Sequence, residues 1–265
     1  MIQYQATITA FLGASELLAA QNDARAKYPN ESCGFIAGGE YVSCVNTSKT
    51  PLTDFVFNDP RYDAAVKDGT LVAVVHSHPG GPIFPSSHDM AQQIAGGVPW
   101  AIIMLNETTI GHTIVWGDQI VKAPILGRPF VHGIFDCYAL FRDAFALGSV
   151  GLKEQGIGWP LPPIKLPDFP RDDNWWKLGQ DLYGDNIKKN GFVTISRTEA
   201  KPGDVFFVAL GTSSANPKKV LTHAGLLLNN NLILHHLPGR LSRREPAGLW
   251  ARAADLWARY TPAKP

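Results

Sequence analysis

A long apolar run that ends in two histidines and then breaks into glycine and proline is the most constraining feature of this chain. Residues 70–78, TLVAVVHSH, are almost wholly apolar up to the histidines. The length and composition of the run predict a strand that is buried on both faces. The stretch PGGPIFP that follows favours a reversal of the chain, and SSHDMAQQIAGG (86–97) predicts a helix. A strand, a sharp turn and a helix in this order favour an α/β unit.

Segments on either side of this strand complete a domain of ordinary size. Apolar spacing predicts a helix over residues 15–28, opened by Ser15, and a second over residues 59–69, opened by Asp59. The segments PWAIIMLN and TIGHTIVWG predict two further strands that close a mixed sheet. Together these elements predict an α/β domain of about 120 residues.

The three cysteines do not predict a disulfide framework, because their number is odd and their spacing is irregular. Cys33 and Cys44 flank a predicted hairpin whose turn is Gly38-Gly39, which would set the two cysteines opposite each other. In a reducing compartment we expect two buried thiols there and no bridge.

The beginning of the chain lacks the pattern of a signal peptide, which has a basic start followed by an uninterrupted apolar core. No stretch approaches the roughly 20 apolar residues that a membrane span requires. We therefore expect the chain to fold in the cytoplasm.

The distribution of charge predicts a second module. The net charge of +1 hides a split, because residues 1–121 contain 5 Lys and Arg against 11 Asp and Glu, whereas residues 122–265 contain 19 against 12. Two halves with net charges of opposite sign are compatible with two ordinary solvated surfaces. They are equally compatible with electrostatic attraction between two modules. The segment DQIVKAPILGRP has the character of a junction. We therefore predict a first domain over residues 1–118, a linker over 119–129 and a second domain over 130–265.

The second module is predicted to be α+β. DCYALFRDAFAL predicts a helix, and KPGDVFFVAL, LTHAGLLL and NLILHHL predict successive strands. Between the helix and the strands, residues 159–176 contain five prolines, which excludes regular structure and predicts a long loop that packs or binds through its tryptophans.

His76 and His78 are two residues apart at the end of the predicted strand, so alternation directs both side chains to one face. The Gly/Pro stretch lets the chain fold back and bring Asp89 near them. Two imidazoles and a carboxylate with a vacant fourth position are typical of a catalytic zinc site. However, Ser86 and Asp89 also form a capping-box pattern, and histidine pairs on strands are often structural. Spacing alone leaves both interpretations open.

The letters His76-Ser77-His78-Pro79, then Ser86 and Asp89, resemble the H-x-H-P…S-x-x-D signature of the JAMM (JAB-type, MPN) metalloproteases. With the order of predicted elements, the resemblance covers residues 1 to about 116. It implies a JAMM/MPN-like mixed sheet in which Glu31 is the general base and Ser86 hydrogen-bonds the oxyanion. It also implies that Zn2+ is bound by His76, His78 and Asp89, and it gives no role to His88.

Cys137 is predicted at the first turn of a helix, directly after Asp136, where the positive helix end favours a thiolate. His223 begins one predicted strand and His235 ends the next, so the two imidazoles can meet across an antiparallel pair, while His236 points to the other face. A buried helix thiol and two strand-end histidines would look the same. The residues alone leave the two interpretations equal.

The order Asp-Cys, Pro-Gly-Asp, His-Ala-Gly and His resembles the NlpC-type cysteine peptidases of cell-wall peptides. The resemblance covers residues ~125 to 240 and implies a papain-like α+β fold with Cys137 as nucleophile, His223 as base and His235 as the orienting residue. The sequence departs from the usual Asp-Cys-Ser-Gly at Tyr138 and Ala139, and Phe130 stands where a tyrosine is common. These departures affect substrate-side hydrogen bonds, and residues 159–176 form an insertion relative to the family.

The succession of both domains in one chain resembles the tail tip assembly proteins of lambda-type phages. That resemblance implies hydrolysis of peptidoglycan stem peptides at the γ-D-glutamyl–diaminopimelate bond during cell-wall penetration, and cleavage of a peptide or isopeptide bond by the zinc domain. It implies other tail tip proteins as partners, including one with a ubiquitin-like segment. It also implies the host cytoplasm during assembly and the virion tail tip thereafter.

Two alternatives remain open from the sequence. The chain could be a structural tail component whose sites are vestigial, or a cytoplasmic JAMM-type processing enzyme for ubiquitin-like proteins whose second domain only binds. No basic stretch is interleaved with aromatic residues, which argues against a nucleic-acid partner.

Overall fold

The computed structural model describes residues 11–211 and 219–261. The chain divides into two compact units, one up to Ala123 and one from Pro124 onward. Ile125 is fully buried in the core of the second unit, where Arg128 also pairs with Asp143 at 2.6 Å. The fold class is the predicted one, a mixed α/β unit followed by an α+β unit.

The first unit is built on a five-stranded sheet in the order β2-β1-β3-β4-β5. β3 and β4 run parallel, with a helix between them in sequence, and the other neighbours are antiparallel. The strands are β1 (Cys33–Ala37), β2 (Glu40–Cys44), β3 (Leu71–Pro79), β4 (Trp100–Leu105) and β5 (Ile110–Trp116). The helices are α1 (Ala14–Lys27), α2 (Pro60–Lys67) and α3 (Ser87–Gly96).

β3 is the central strand of this unit and is buried from Ala73 to His78, as predicted. Val74 and Val75 are each 1% exposed, and burial of such a side chain contributes roughly 1.5–2 kcal/mol. Because β1 and β4 pair with it, β3 is hydrogen-bonded along both of its edges within the sheet. The residues at its carboxyl end are therefore rigidly placed.

The predicted hairpin is confirmed. Cys33 lies directly opposite Cys44 in the β1–β2 pair, and both are buried free thiols. Gly38 and Gly39 form the turn with φ of +58° and +83°, values that glycine adopts without steric cost.

The predicted start of the first helix is wrong. α1 begins at Ala14 with Gly13 as its N-cap, so Ser15 lies inside the first turn. The Ser15 hydroxyl donates to Glu16 at 2.7 Å and caps no backbone amide. The second helix, in contrast, begins as predicted, because the Asp59 carboxylate accepts from the Arg61 amide.

The second unit is built on an antiparallel six-stranded sheet in the order β10-β9-β8-β7-β11-β6. The strands are β6 (Phe192–Ile195), β7 (Val205–Val208), β8 (His223–Leu227), β9 (Leu232–His235), β10 (Arg243–Pro246) and β11 (Leu256–Tyr260). The helices are α4 (Cys137–Glu154), α5 (Leu182–Asn186) and α6 (Gly248–Ala253). α4 contributes Leu140, Phe141 and Phe145 to the core, where Phe207 and Leu226 of the sheet are also buried.

The sequence analysis missed β6, β10 and β11. β10, Arg-Arg-Glu-Pro, has no apolar alternation and lies at an edge of the sheet, where charge and proline are tolerated. The prediction of a proline-rich loop is confirmed except at its end, where Trp175–Leu178 form a short 3-10 turn. Its residues Trp159, Leu166 and Trp175 are buried, so the loop packs as part of the core. No helix of the described residues is long and apolar enough to span a membrane.

Candidate functional site

The carboxyl end of β3 places His76 and His78 on one face, and the chain then reverses through Gly80, whose φ is +65°. α3 follows with Asp89 in its first turn. One ligand atom from each of His76, His78 and Asp89 lies within 4.8 Å of the others. The three predicted ligands therefore converge, and the Gly/Pro stretch supplies the reversal that this requires.

The donor atoms of the cluster are imidazole nitrogens and carboxylate oxygens. Nε2 of His76 lies 3.1 Å from Nε2 of His78, and the Asp89 oxygens lie 3.5 Å and 3.7 Å from these two nitrogens. Nδ1 of His78 faces the carbonyl oxygen of Pro82 at 2.9 Å. Because a carbonyl only accepts, that contact places the proton on Nδ1 and leaves the Nε2 lone pair directed into the cluster.

His76 is held by aromatic packing. It is fully buried, and its ring centroid lies 4.7 Å from that of Phe55 and 5.7 Å from that of Trp100. Its Nδ1 has no hydrogen-bond partner within the described residues. Two imidazoles and a carboxylate that converge in a buried position are a donor set that fits a tetrahedral cation such as Zn2+.

Glu31 lies just before β1, with its carboxylate 4.0 Å from Nε2 of His78. Its backbone is fixed by bonds to Pro51 and Asn46, and its side chain is buried. Burial raises the pKa of Glu31 to about 7, against the opposing attraction of His78. A carboxyl group with such a pKa can both accept and release a proton near neutrality.

The capping box predicted for Ser86 and Asp89 is present. The Ser86 hydroxyl donates to Oδ2 of Asp89 at 2.7 Å and accepts from the Asp89 amide at 3.1 Å. Burial opposes the charge of Asp89, but the attraction of His76, the proximity of the second imidazole and the hydrogen bond from Ser86 hold its pKa well below the usual range. Ser86 thus orients a predicted ligand as well as capping the helix. His88, on the same helix, is exposed and outside the cluster.

Cys137 is the first residue of α4, and Asp136 is the N-cap, as its side chain accepts from the Ala139 amide at 2.8 Å. The thiol lies 3.3 Å from the hydroxyl of Tyr183 and 3.9 Å from the carbonyl oxygen of Thr222. The thiol therefore contacts the backbone directly before His223, the residue at which β8 begins.

The predicted thiolate is not what this arrangement favours. Burial, followed by the negative charge of Asp136, raises the pKa of Cys137 to about 11, although the hydrogen bond from Tyr183 acts in the other direction. The dipole of α4 alone does not overcome these two effects, so the sulfur is protonated at neutral pH.

His223 and His235 meet as the strand pairing predicted, with 3.1 Å between Nε2 of His223 and Nδ1 of His235. Burial lowers the pKa of both, that of His223 to about 3, so both rings are neutral. On the other side, Nε2 of His235 lies 2.8 Å from Oε1 of Glu245. Within the described residues no hydrogen bond joins Cys137 to His223.

Glu245, His235 and His223 form a hydrogen-bonded row, and Glu245 fixes the tautomers of the two histidines. Because its carboxylate is ionised and only accepts, the proton of His235 is on Nε2 and its Nδ1 accepts from Nε2 of His223. Nδ1 of His223 is then the nitrogen that carries a free lone pair. Gly225 permits the close packing around the row, because a Cβ there would collide with the ring of Phe206.

Glu245 and Tyr183 are site residues that the sequence analysis missed. Glu245 lies on β10, the short strand that follows β9 and pairs with it. A hairpin at this point of the sequence was the signal that could have indicated Glu245. Tyr183 lies 46 residues after Cys137 in a five-residue helix, and no local pattern indicates it. Phe130 packs against His236 at 5.1 Å between ring centroids, and Tyr138 donates to the carbonyl oxygen of Pro167.

Comparison with known proteins gives a family for each unit. Residues 14–115 match the family of prokaryotic homologs of the JAB domain, and residues 127–256 match the NlpC/P60 family. A solved NlpC/P60 family protein from Bacillus cereus aligns with a TM-score of 0.31 and 13% identity, over 91% of this chain and 67% of that one.

Two curated relatives span most of the chain. Tail tip assembly protein K of Escherichia phage lambda is 36% identical over 198 residues, which are 74% of this chain and 82% of the relative. Tail tip assembly protein K of Escherichia phage N15 is 34% identical over 246 residues, which are 89% of this chain and 90% of the relative. With more than a third of the aligned residues identical over most of both chains, this chain belongs to the family of phage tail tip assembly protein K.

Proposed function

We propose that the second unit is a cysteine peptidase that hydrolyses peptidoglycan stem peptides, at the γ-D-glutamyl–diaminopimelate bond, while the tail penetrates the cell wall. The observation that carries this proposal is the row of Glu245, His235 and His223, whose tautomers leave one basic nitrogen on the strand that contacts the Cys137 thiol. A cysteine nucleophile requires such a base and an oriented partner for it.

The resting pKa values constrain the order of proton transfer. The thiol has a pKa of about 11 and the His223 ring of about 3, so an ion pair does not form before substrate arrives. The proton therefore moves from sulfur to Nδ1 of His223 as the sulfur–carbon bond forms. His235 and Glu245 stabilise the resulting imidazolium, which then protonates the leaving amine as the carbon–nitrogen bond breaks. Water releases the acyl group from sulfur in the second half of the reaction.

Purified peptidoglycan and its soluble stem peptides test this proposal. We expect the full chain to release new amino termini that Cys137→Ala and Cys137→Ser abolish. Cys44→Ser is the matched control, since it removes a buried thiol of the other unit. Release that is equal in wild type and Cys137→Ala, or absent from both, would exclude the hydrolase and favour a structural tail component with vestigial sites.

We further propose that the first unit is a zinc metallopeptidase that cleaves a peptide or isopeptide bond in another tail tip protein, one with a ubiquitin-like segment. The supporting observation is the convergence of His76, His78 and Asp89. These residues would hold Zn2+, which, when bound, activates water and polarises the scissile carbonyl. Glu31 would accept the proton of the attacking water and return it to the leaving amine, a role that its pKa of about 7 and its position beside His78 support.

Metal analysis tests the zinc assignment. We expect His76→Ala to weaken zinc binding by more than about a hundredfold, because it removes a ligand, whereas His88→Ala leaves binding unchanged. Equal zinc binding by wild type and His76→Ala would overturn the assignment. Incubation of the zinc-loaded protein with purified tail tip proteins, compared with Glu31→Gln, then identifies the substrate. Cleavage of ubiquitin-like host proteins alone would favour the alternative of a cytoplasmic processing enzyme.

The family implies a place for this activity in assembly. We propose that the protein acts in the host cytoplasm while the tail is built and at the virion tail tip afterwards, with peptidoglycan and other tail tip proteins as its partners.

A further inference from the structure

The proline-rich segment 159–176 reaches the start of the helix that carries Cys137. Buried Trp159 and Trp175 anchor its two ends, and Pro167 in its middle accepts from the Tyr138 hydroxyl. Arg171 lies between these anchors and is only 3% exposed. A fully buried arginine in a loop is unusual, because its charge and its five N–H groups must all be satisfied.

Every N–H group of the Arg171 guanidinium has an acceptor. Nε donates to Oδ2 of Asp136 at 2.8 Å, and Nη2 donates to Oδ1 of Asp136 at 3.1 Å and to the Gly133 carbonyl at 3.3 Å. Nη1 donates to Asp168 at 3.0 Å and to the Phe169 carbonyl at 2.7 Å. The guanidinium carbon lies 5.1 Å from the centroid of the Tyr138 ring. The pair with Asp136 is bidentate, the geometry in which arginine is most specific.

Asp136 is thereby fully occupied. Each of its oxygens accepts one bond from Arg171 and one from a backbone amide, that of Ala139 for Oδ1 and that of Gly133 for Oδ2. These two amides lie on either side of the residue at which α4 begins. The carboxylate therefore ties the preceding turn, the first turn of the helix and the proline-rich segment into one buried unit next to the thiol.

The ion pair of Asp136 and Arg171 affects the reactivity of the Cys137 thiol, because both charges lie close to the sulfur. Asp136, Arg171 and Tyr183 are the ionisable groups that act on Cys137, and His132 lies 3.9 Å from Asp136. The carboxylate disfavours a thiolate and the guanidinium favours it. Without Arg171, an uncompensated buried carboxylate would stand beside the sulfur at which negative charge must develop.

We propose that Arg171 is a positioning residue for Cys137, which acts through Asp136 by fixing the start of α4 and by neutralising the carboxylate. The proline-rich segment is then a part of the cysteine site and not only a cover for the core. This inference rests on the proposed peptidase function, which it deepens, and it assigns a role within it to Arg171, 34 residues beyond the nucleophile.

Alkylation of Cys137 by iodoacetamide tests the proposal without any substrate, so its outcome is separate from that of the peptidoglycan assay. The rate at Cys137 is followed against pH by mass spectrometry of its peptide. We expect Arg171→Met to move the midpoint of the profile upward by about one pH unit or more and to slow alkylation at pH 8 about tenfold. Arg171→Lys, which keeps the charge but not the bidentate geometry, restores part of the rate.

Two comparisons make the result specific. Arg142→Met is the matched control, because Arg142 is a second buried arginine that pairs with Asp168 at 3.1 Å, and we expect a wild-type profile from it. In the Asp136→Asn background, which removes the charge on which Arg171 acts, Arg171→Met should shift the midpoint far less. This double variant also keeps the test open if Arg171→Met alone fails to fold. A wild-type profile for folded Arg171→Met, or an equal shift in both backgrounds, would overturn the proposal.

Discussion

A neutral imidazole carries one proton, and the partner of one ring nitrogen decides what the other can do. In the second unit Glu245 determines the tautomer of His235, and His235 in turn determines that of His223. In the first unit the Pro82 carbonyl determines the tautomer of His78. In the second unit this leaves Nδ1 of His223 as a proton acceptor. In the first unit it leaves the Nε2 lone pair of His78 available to a metal ion.

The carboxylate at the end of the histidine row should therefore influence catalysis. We expect Glu245→Gln to lower kcat/KM on a soluble stem peptide by roughly tenfold to a hundredfold, because the amide cannot stabilise the imidazolium, although it can still accept from His235. Arg243→Gln is the control, since Arg243 binds the other carboxylate oxygen at 2.7 Å and is half-exposed, and it should change kcat/KM little. An unchanged kcat/KM in Glu245→Gln would remove Glu245 from the mechanism.

The candidate residues that sequence could predict are those joined by short spacing. His76 and His78 are two apart on one strand, and a Gly/Pro reversal brings in Asp89. The meeting of His223 and His235 follows from one turn between neighbouring strands. Arg171 and Tyr183 could not be predicted, because they reach Cys137 and Asp136 from segments without a periodic pattern.

At the scale of elements, the first turn of α3 serves both stability and the candidate metal centre. The hydrogen bonds that begin the helix are those that orient Asp89 toward His76 and His78. The capping-box interpretation of this stretch is confirmed, and the same side chains hold Asp89 beside His76 and His78, as the ligand interpretation requires.

Removal of this cap should affect two measurements together. We expect Ser86→Ala to lower the free energy of unfolding of the first unit by about 1 kcal/mol and to weaken zinc binding about tenfold, because Asp89 loses its orienting bond. Ser86→Thr should restore both. Urea unfolding and competition with a chromophoric chelator give the two values. A large loss of turnover in Ser86→Ala with unchanged zinc affinity would instead indicate the oxyanion contact that the resemblance implies.

The elements that sequence predicted correctly have clear ends. β3, β8 and β9 are apolar runs bounded by glycine, proline or asparagine, and α3 lies between its Ser86 cap and Gly97. β6, β10 and β11 were missed because they are four or five residues long and carry polar or charged side chains. Such strands are specified by the neighbours they pair with, which the local sequence does not contain.

At the scale of the whole molecule, one buried ion pair makes the stability of the second unit depend on pH. Asp136 is buried with Arg171 in the second unit, and the guanidinium outweighs burial and holds the pKa of that carboxyl well below its usual range. A carboxyl whose pKa is lower in the folded state contributes stability above its unfolded pKa, near 3.9, and this contribution is lost as the pH falls further.

We therefore expect the second unit to lose stability progressively below about pH 4. At pH 7 Asp136→Asn should lower its free energy of unfolding by about 3–5 kcal/mol, because the variant removes the bidentate carboxylate partner of the buried Arg171, and the acid dependence should become shallower. Hydrogen exchange of the α4 amides at several pH values reports on this unit alone. Asp185→Asn, at an exposed position of the same unit, is the control. An acid dependence equal to that of wild type would show that Asp136 is not the responsible group.

The sheet order of the second unit has a consequence for the timing of folding during synthesis. β11, residues Leu256–Tyr260, lies between β7 and β6, although those strands are made about 50 and about 60 residues earlier, respectively. Until the ribosome has released residues 256–260, β6 lacks its neighbour in the sheet. The sheet therefore cannot be completed before residues 256–260 have emerged, and a nascent chain that stops before residue 256 should expose β6 and β7 to proteases.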